Sequence, residues 1–147
     1  LFGEADLPIA THTGDNPYYT REQSHFPSNP AFSQTKLIFD YCRRHPDFKI
    51  ICAHCGSAPD MFYEATRGLN NVYTDTTMCS AASMRRFVDL LGPDKLLFGT
   101  DVPFGSFRYS TAEMEKAFAG RPEIADQCFF SNMADLIHLK YKPYSKD

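Results

Sequence analysis

Four short apolar runs, three of them closed by glycine or proline residues, constrain the fold of this chain more than any other feature. Runs of about 4–8 apolar residues between such breakers are typical of strands that are covered on both faces, as in parallel sheets. The sequence predicts four strands, at residues 7–13, 48–54, 71–77 and 95–101.

Helical patterns separate the predicted strands. One helix is predicted to begin at Asn29-Pro30 and to end before His45-Pro46, because proline favours the first position of a helix and disfavours helix in the residue before it. After the last strand, Ser110 and Glu113 have the spacing of a capping box. The further helices are predicted at residues 60–67, 81–91, 110–119 and, as one or two helices, 122–139.

The resulting order, with a helix after each strand, predicts an α/β fold with a parallel sheet and right-handed crossovers. A complete (β/α)8 barrel needs eight such units, and this chain supplies four. With 147 residues the chain is long enough for one domain. We therefore expect residues 1–147 to form a single, partial barrel domain.

Three of the predicted strands end in a side chain that can bind a metal: His12, His54 and Asp101. Ligands and catalytic groups collect at the carboxyl ends of strands in such folds. One histidine at a strand end is more often structural, but two histidines and an aspartate at equivalent positions favour a site. The remaining strand carries Asp75 near the same level, and this residue is predicted either to support a ligand or to cap its own loop.

Strand alternation predicts which side chains share the inner face with these three residues. The opposite set must be apolar to pack against helices, and the predicted outer set is mainly apolar. The predicted inner residues are Pro8, Ala10 and His12; Phe48, Ile50, Cys52 and His54; Lys95, Leu97, Gly99 and Asp101. The predicted outer residues are Ile9 and Thr11; Ile51 and Ala53; Leu96 and Phe98.

Imidazole and carboxylate groups suit zinc, manganese or iron, and a catalytic metal site keeps one position open for water. A divalent metal acidifies its bound water and so provides a nucleophile near neutral pH. The residue types therefore predict a divalent metal cofactor, with zinc as the first expectation, held by His12, His54 and Asp101. His54 and Asp101 are also the predicted catalytic residues.

Charge and hydropathy exclude several classes of partner. The formal net charge is −3, with 15 basic and 18 acidic residues and no basic stripe, which argues against nucleic acid or an anionic membrane surface. No apolar run approaches the ~20 residues of a membrane span, and no signal segment is recognisable, so we expect a cytoplasmic protein with a small-molecule substrate. The five cysteines are predicted to be free thiols, with Cys52 and Cys55 on opposite faces of their strand.

Several motifs of this sequence resemble the amidohydrolase-related family that includes aminocarboxymuconate semialdehyde decarboxylase. The strongest are Ala53-His54-Cys55-Gly56 and the Gly-Thr-Asp-Val-Pro-Phe element at residues 99–104. Thr-His-Thr-Gly at 11–14, the run at 71–76 and Phe-Ser-Asn-Met-Ala-Asp-Leu at 130–136 follow the same order. The resemblance covers nearly the whole chain.

The resemblance implies that this chain carries strands 5 to 8 of the barrel. It implies that His12 is a metal ligand, that His54 binds a second metal or holds the nucleophilic water, and that Asp101 is a ligand and proton acceptor. The family's first-strand His-x-His pair is absent from this sequence, so we expect weak metal binding by the chain alone.

Hydrolysis of a small-molecule amide, ester or lactone bond is the expected reaction. Non-oxidative decarboxylation on the same residues is the nearest alternative, because the family includes both. A catalytically incomplete fragment is the third possibility. Open sheet edges predict self-association or a partner that supplies the missing amino-terminal half.

Overall fold

A four-stranded parallel sheet forms the centre of the computed structural model, which describes residues 4–13 and 35–141. The strand order is the chain order, and each strand pairs in parallel with the next. The bounds of the strands are β1 Ile9–Thr11, β2 Ile50–Cys52, β3 Val72–Asp75 and β4 Leu96–Leu97. The strands are shorter than predicted at both ends, and β2 and β4 end before His54 and Asp101.

Helices follow the strands, as the sequence predicts. The longest have 11 residues. None in the described ranges combines the length and the apolar character that crossing a bilayer requires. The predicted start of the first helix, at Asn29-Pro30, lies outside the described residues. The helices are α1 Thr35–Arg44, α2 Pro59–Thr66, α3 Ala81–Leu91, α4 Phe107–Ala117, α5 Pro122–Asp126 and α6 Asn132–Leu136.

The predicted capping box of α4 is wrong. The helix begins earlier, because the Ser106 side chain accepts a hydrogen bond from Tyr109 N at 3.3 Å and so caps it. Ser110 is instead buried within the helix. Glu113 has a different role: its carboxylate accepts a 2.6 Å hydrogen bond from Ala81 N at the first residue of α3. The acidic side chain therefore ties α4 to the amino terminus of the neighbouring helix.

The last predicted helical region, 122–139, folds as α5 and α6 joined by a π-helical turn at Gln127–Ser131. Asn132 anchors this unit to the sheet, since its amide donates to the carbonyls of Pro93 and Leu96, each at 2.8 Å. Phe98 N donates to Cys128 O at 3.0 Å. The carboxyl-terminal helices are thus bonded to both ends of β4.

The main hydrophobic core lies between the sheet and helices α1 to α4. Phe39, Phe62, Met84 and Phe87 from the helices are at most 3% exposed. The sheet contributes Ile50, Cys52, Val72 and Leu96 to this core. A second, smaller cluster on the opposite face of the sheet joins Ile51 and Leu97 to Leu136 of α6.

The predicted faces are correct for β4 and wrong for β2. Leu97 lies on the inner face and Leu96 on the helix-covered face, as predicted, but Ile50 and Cys52 also pack on the helix-covered face. The register explains this difference. Ile51 lies beside Tyr73 of β3, whereas Cys52 lies beside Thr74, which in turn lies beside Leu96 of β4. Cys52 therefore shares the helix-covered face with Leu96. Alternation from β2 would direct His54 outward, so another feature must turn this side chain into the site.

Candidate active site

The three predicted site residues lie at the same edge of the sheet. His12 directly follows β1, His54 lies in the loop after β2, and Asp101 lies in the loop after β4. Because the strands are parallel, these loops leave the sheet at the carboxyl edge. All three residues line one cavity of about 580 Å³.

The two imidazoles are in direct contact. His54 Nε2 lies 3.1 Å from His12 Nδ1, and the ring centroids are 4.9 Å apart at an interplanar angle of 68°. The other ring nitrogen of His54, Nδ1, is buried without a hydrogen-bond partner. A buried ring nitrogen that lacks a protein partner is uncommon in folded proteins.

A left-handed backbone conformation turns two of these residues into the cavity. His54 has φ 71° and Asp101 has φ 56°. Such a conformation costs a residue with a side chain roughly 1–2 kcal/mol relative to the right-handed region. Glycine would avoid this cost, so the presence of histidine and aspartate at these positions favours a functional reason for the side chains.

The rest of the cavity is mostly apolar. Helices α1 and α2 contribute Phe39, Met61, Phe62 and Ala65, and Met78 follows β3. The polar groups lie together at the strand ends. Such a cavity, apolar with a few convergent polar groups, is typical of a small-molecule site. The predicted pocket loop at 16–28 lies outside the described residues.

The histidine pair fits a metal ion in spacing. Two imidazoles on one zinc, each at about 2.0–2.1 Å, have nitrogens roughly 3 to 3.5 Å apart, and His12 Nδ1 and His54 Nε2 are 3.1 Å apart. However, within residues 4–13 and 35–141 no three His, Cys, Asp or Glu side chains are grouped closely enough to hold an ion. The structure thus brings His12 to His54, while Asp101 shares the cavity without completing a three-ligand cluster.

Asp75 fulfils both of the alternatives that the sequence left open. Its Oδ1 atom accepts a hydrogen bond from His54 N at 3.0 Å and another from Thr77 N at 3.1 Å. The first bond holds the backbone of a site residue, and the second caps the loop that follows β3. Asp75 touches the main chain of His54, so it supports the site through the backbone.

Thr13 and Cys55 are site residues that sequence reasoning missed. Both line the cavity, and Thr13 Oγ1 lies 3.0 Å from Cys55 Sγ. The Thr13 hydroxyl also donates to the Ala53 carbonyl, which joins the loops after β1 and β2. The sequence signal that could have identified them is that each directly follows a predicted site residue, His12 or His54.

The prediction that Cys52 and Cys55 point to opposite faces is wrong, because the chain folds back at His54 into a 3₁₀ turn at Cys55–Ser57. The neighbouring Cys52 thiol lowers the pKa of Cys55, and the contact with Thr13 acts in the same direction. The Cys55 thiol, together with burial, raises the pKa of Cys52. Burial, aided by the Asp75 carboxylate, raises the pKa of Cys79 to about 12. All five cysteines are free thiols, as predicted.

The sequence profile of the amidohydrolase family matches residues 1–132. Curated protein sequences gave no match. Among solved structures, 2,6-dihydroxybenzoate decarboxylase from Rhizobium is similar, at 17% identity and a TM-score of 0.67 over 94% of this chain and 53% of that one. A TIM-barrel protein from Bordetella bronchiseptica is also similar, at 16% identity and a TM-score of 0.68 over 94% of this chain and 48% of that one.

A third similar structure is dihydroxybenzoic acid decarboxylase from Polaromonas sp. JS666 with bound manganese and the inhibitor 2-nitroresorcinol, at 17% identity and a TM-score of 0.64 over 94% and 52%. The chain thus spans about half the length of these proteins. At such low identity the likeness concerns the fold, and it confirms the predicted α/β half of a TIM barrel.

Proposed function

Because the chain belongs to the amidohydrolase family, we propose that it provides part of the active site of a metal-dependent enzyme. The reaction that we propose is the non-oxidative removal of a carboxyl group from a small aromatic acid. Such a substrate needs an apolar slot for its ring and a polar end for its carboxylate.

The contact between His12 and His54 at the polar end of the cavity carries this proposal. Phe39 and Phe62 line the same cavity, and their rings pack edge to face with centroids 6.0 Å apart. Because both rings are almost fully buried, the apolar surface open to a flat substrate ring comes from Met61 and Met78, which line the same cavity and are exposed. The histidines and Asp101 lie where the polar substituents of that ring would point.

Two of the similar structures support the choice of reaction. Both are dihydroxybenzoate decarboxylases, and one was solved with manganese. The residue types of this chain favour zinc or manganese. We propose Mn²⁺ or Zn²⁺ as the cofactor, with His12, His54 and Asp101 as the residues of this chain that would hold it.

A bound divalent ion would supply positive charge to a substrate oxygen. The side chains of this chain would perform the remaining tasks. His12 or His54 would orient the carboxylate by a hydrogen bond from a ring nitrogen that does not bind the ion. Asp101 would deliver a proton to the ring carbon as the bond between this carbon and the carboxyl group breaks, and the carboxyl group would leave as CO2. The Asp101 carboxylate would then regain a proton from solvent.

Hydrolysis is the second candidate, and the description of the matched family favours it. The same residues would serve: His54 would orient a water molecule, and Asp101 would accept its proton as the oxygen attacks the substrate carbonyl. Both reactions are compatible with the apolar walls of the cavity. The products distinguish them, because only decarboxylation releases CO2.

The remaining site residues would come from outside this sequence, since the chain spans about half the length of the similar proteins. A second copy of the chain, or a polypeptide with the other four strands, would complete the barrel. We therefore expect metal binding to strengthen when the barrel is complete.

The test compares the two reactions on protein expressed from its complete reading frame. We expect CO2 release from hydroxylated benzoates, dependent on added Mn²⁺ or Zn²⁺ and abolished by a chelator. Release of acid from a panel of esters, lactones and amides without CO2 would establish hydrolysis instead. Activity that is insensitive to the chelator would contradict both candidates.

Asp101→Asn is the corresponding variant. We expect turnover to fall by about 10²–10⁴-fold, the usual contribution of a general acid or base. Asp94→Asn, on the amino-terminal side of the same strand, is the matched control and should retain full activity. Retention of activity by Asp101→Asn would contradict the proposed role of Asp101 as the proton carrier.

A further inference from the structure

The end of β3 lies between the two loops that carry His54 and Asp101. Asp75 is the last residue of β3, and it lies opposite Leu97 in the register with β4. It bonds to His54 N at 3.0 Å on the side of β2. One carboxylate therefore contacts the backbone of the His54 loop and faces the strand that leads to Asp101.

Glycines bring both neighbouring loops unusually close to this residue. A Cβ atom on Gly56 would lie 2.4 Å from Asp75 O and 3.0 Å from Cys79 Sγ. A Cβ atom on Gly99 would lie 2.8 Å from Thr77 Oγ1 and about as close to Asp75, at 3.0 Å from its Cβ and 3.1 Å from its Cγ. Only residues without a side chain permit this approach, so the loops after β2 and β4 both pack directly on the end of β3.

Thr76 fixes the second loop as Asp75 fixes the first. The Thr76 hydroxyl donates to Gly99 O at 3.2 Å and accepts from Gly99 N at 3.1 Å. Thr76 is fully buried, so solvent does not compete for these bonds. Two successive residues thus bond to the backbones of two different site loops.

The bond from Asp75 also accounts for the direction of the His54 side chain. Strand alternation would direct this side chain toward the helices, whereas the left-handed backbone at φ 71° turns it to His12. A carboxylate acceptor is the stronger partner for a backbone N–H, because its charge assists the hydrogen bond. Asp75 holds that N–H in the orientation that the left-handed conformation requires.

We infer that Asp75 is a positioning residue, which holds the His54 backbone and thereby sets the His54 imidazole against His12. Together with Thr76, it also fixes the loop that carries Asp101. The inference rests on the proposed role of His54 in the site. The position of the imidazole can be measured without metal, substrate or turnover.

The experiment uses NMR of the imidazole groups in protein expressed from its complete reading frame. The readout is the nuclear Overhauser effect between the rings of His12 and His54. We expect Asp75→Ala to abolish this effect and Asp75→Asn to retain it, because the amide oxygen of asparagine can still accept from His54 N. Loss in both variants, or retention in Asp75→Ala, would overturn the inference.

Val72→Ala is the matched control for simple destabilisation. Val72 belongs to the same strand and is buried, but it contacts neither site loop through a polar atom. We expect this variant to melt at a lower temperature and to keep the contact between the two rings. If Val72→Ala also lost the contact, the effect of Asp75→Ala would reflect general loosening of the sheet.

Gly99→Ala is the second variant, in case Asp75→Ala does not fold. The added methyl group would displace the Asp75 side chain without removing its carboxylate. We expect a weakened contact between His12 and His54, and Zn²⁺ binding about 10–100-fold weaker, the usual result of disturbing a residue that orients a ligand. An unchanged ring contact in Gly99→Ala would count against the inference, whereas an intact contact without any Zn²⁺ binding would count against the proposed function alone.

Discussion

At the scale of single residues, the left-handed conformation of His54 allows the stability effect of its backbone to be separated from that of its side chain. Both His54→Gly and His54→Ala remove the imidazole, but only glycine adopts a positive φ without a steric penalty. We expect His54→Gly to be more stable than His54→Ala by roughly 1 kcal/mol. The measurement is denaturant unfolding of the two variants side by side.

Arg85, on the exposed side of helix α3, provides the control for this comparison. There we expect the opposite order, with Arg85→Ala more stable than Arg85→Gly by about 1 kcal/mol, because glycine is the poorer helix former. If alanine were preferred at both positions, the His54 backbone would not be left-handed in solution.

The five thiols should differ in reactivity for the same local reasons. Alkylating reagents attack the thiolate, so a lowered pKa and access to solvent both favour reaction. Cys55 has a lowered pKa and lines the cavity. Burial raises the pKa of Cys79 and of Cys128 to about 12. We expect iodoacetamide to modify Cys55 first and the buried thiols only after denaturation.

Mass spectrometry of the native protein after brief alkylation measures this order. Cys55→Ser should remove the fast phase of the reaction, and Cys42→Ser should leave it unchanged. Labelling of Cys79 at the rate of Cys55 would show that the loops around Asp75 open readily.

At the scale of elements, Glu113 joins helix α4 to the amino terminus of α3. The hydrogen bond from Ala81 N lowers the pKa of this carboxyl below its usual value of 4.5. Its stabilising contribution is therefore complete above pH 4.5 and is lost as the pH falls through the lower value in the folded state. We expect Glu113→Gln to lower the melting temperature near neutral pH and to match the parent protein in acid.

Thermal melts from neutral pH down into the acid range measure this difference. Glu115→Gln, on the exposed side of the same helix, is the control and should follow the parent protein throughout. A constant gap between Glu113→Gln and the parent at all pH values would show that the ionised carboxylate is not the stabilising group.

The helices and strands were more predictable from the sequence than the faces to which their side chains point. Helix α3 has the predicted bounds because Ser80 caps it and Gly92, with φ 82°, ends it, and both signals are local. The cap of α4 was mispredicted because Ser110 is followed by Glu113 in the spacing of a capping box, whereas Ser106, the actual cap, is followed by Tyr109. The faces of β2 depended on the loop after Cys52, where a bond to Asp75 from another strand decides the backbone conformation.

The candidate site was predictable to a similar extent. The location of His12, His54 and Asp101 at one edge was predictable because parallel strands place their carboxyl ends there, which is a property of the topology. Thr13 and Cys55 were missed because their contact joins two loops, at a distance of 3.0 Å, that alternation rules do not describe. The grouping of three metal ligands remains a prediction.

At the scale of the whole molecule, the outer edge of β1 is without a strand partner among the described residues. Ile9 and Thr11 bond to β2, through Ile9 N to Lys49 O at 2.8 Å and Ala53 N to Thr11 O at 2.9 Å. The backbone groups of Ala10 therefore face away from β2. An edge of this kind pairs readily with another strand.

We expect Ala10→Pro to weaken association and to preserve the fold, because proline removes an outward N–H and is tolerated on sheet edges. Light scattering after size exclusion, over a range of concentrations, should show a smaller mass for Ala10→Pro than for the parent. Ile9→Pro is the contrasting variant, since it breaks the bond to Lys49 and should unfold the edge. A monomeric parent protein at all concentrations would contradict the expected association through this edge.

The position of Asp75 and Thr76 between two loops also bears on how this molecule tolerates change. A substitution in the loop after β2 is transmitted through β3 to the loop after β4, so the effects of paired changes should not add. Because both loops pack on Asp75 and Thr76, a change in one loop has to be designed together with the other. Altering the selectivity of such a protein would therefore be simplest in helix α1, where Thr35 and Phe39 line the cavity.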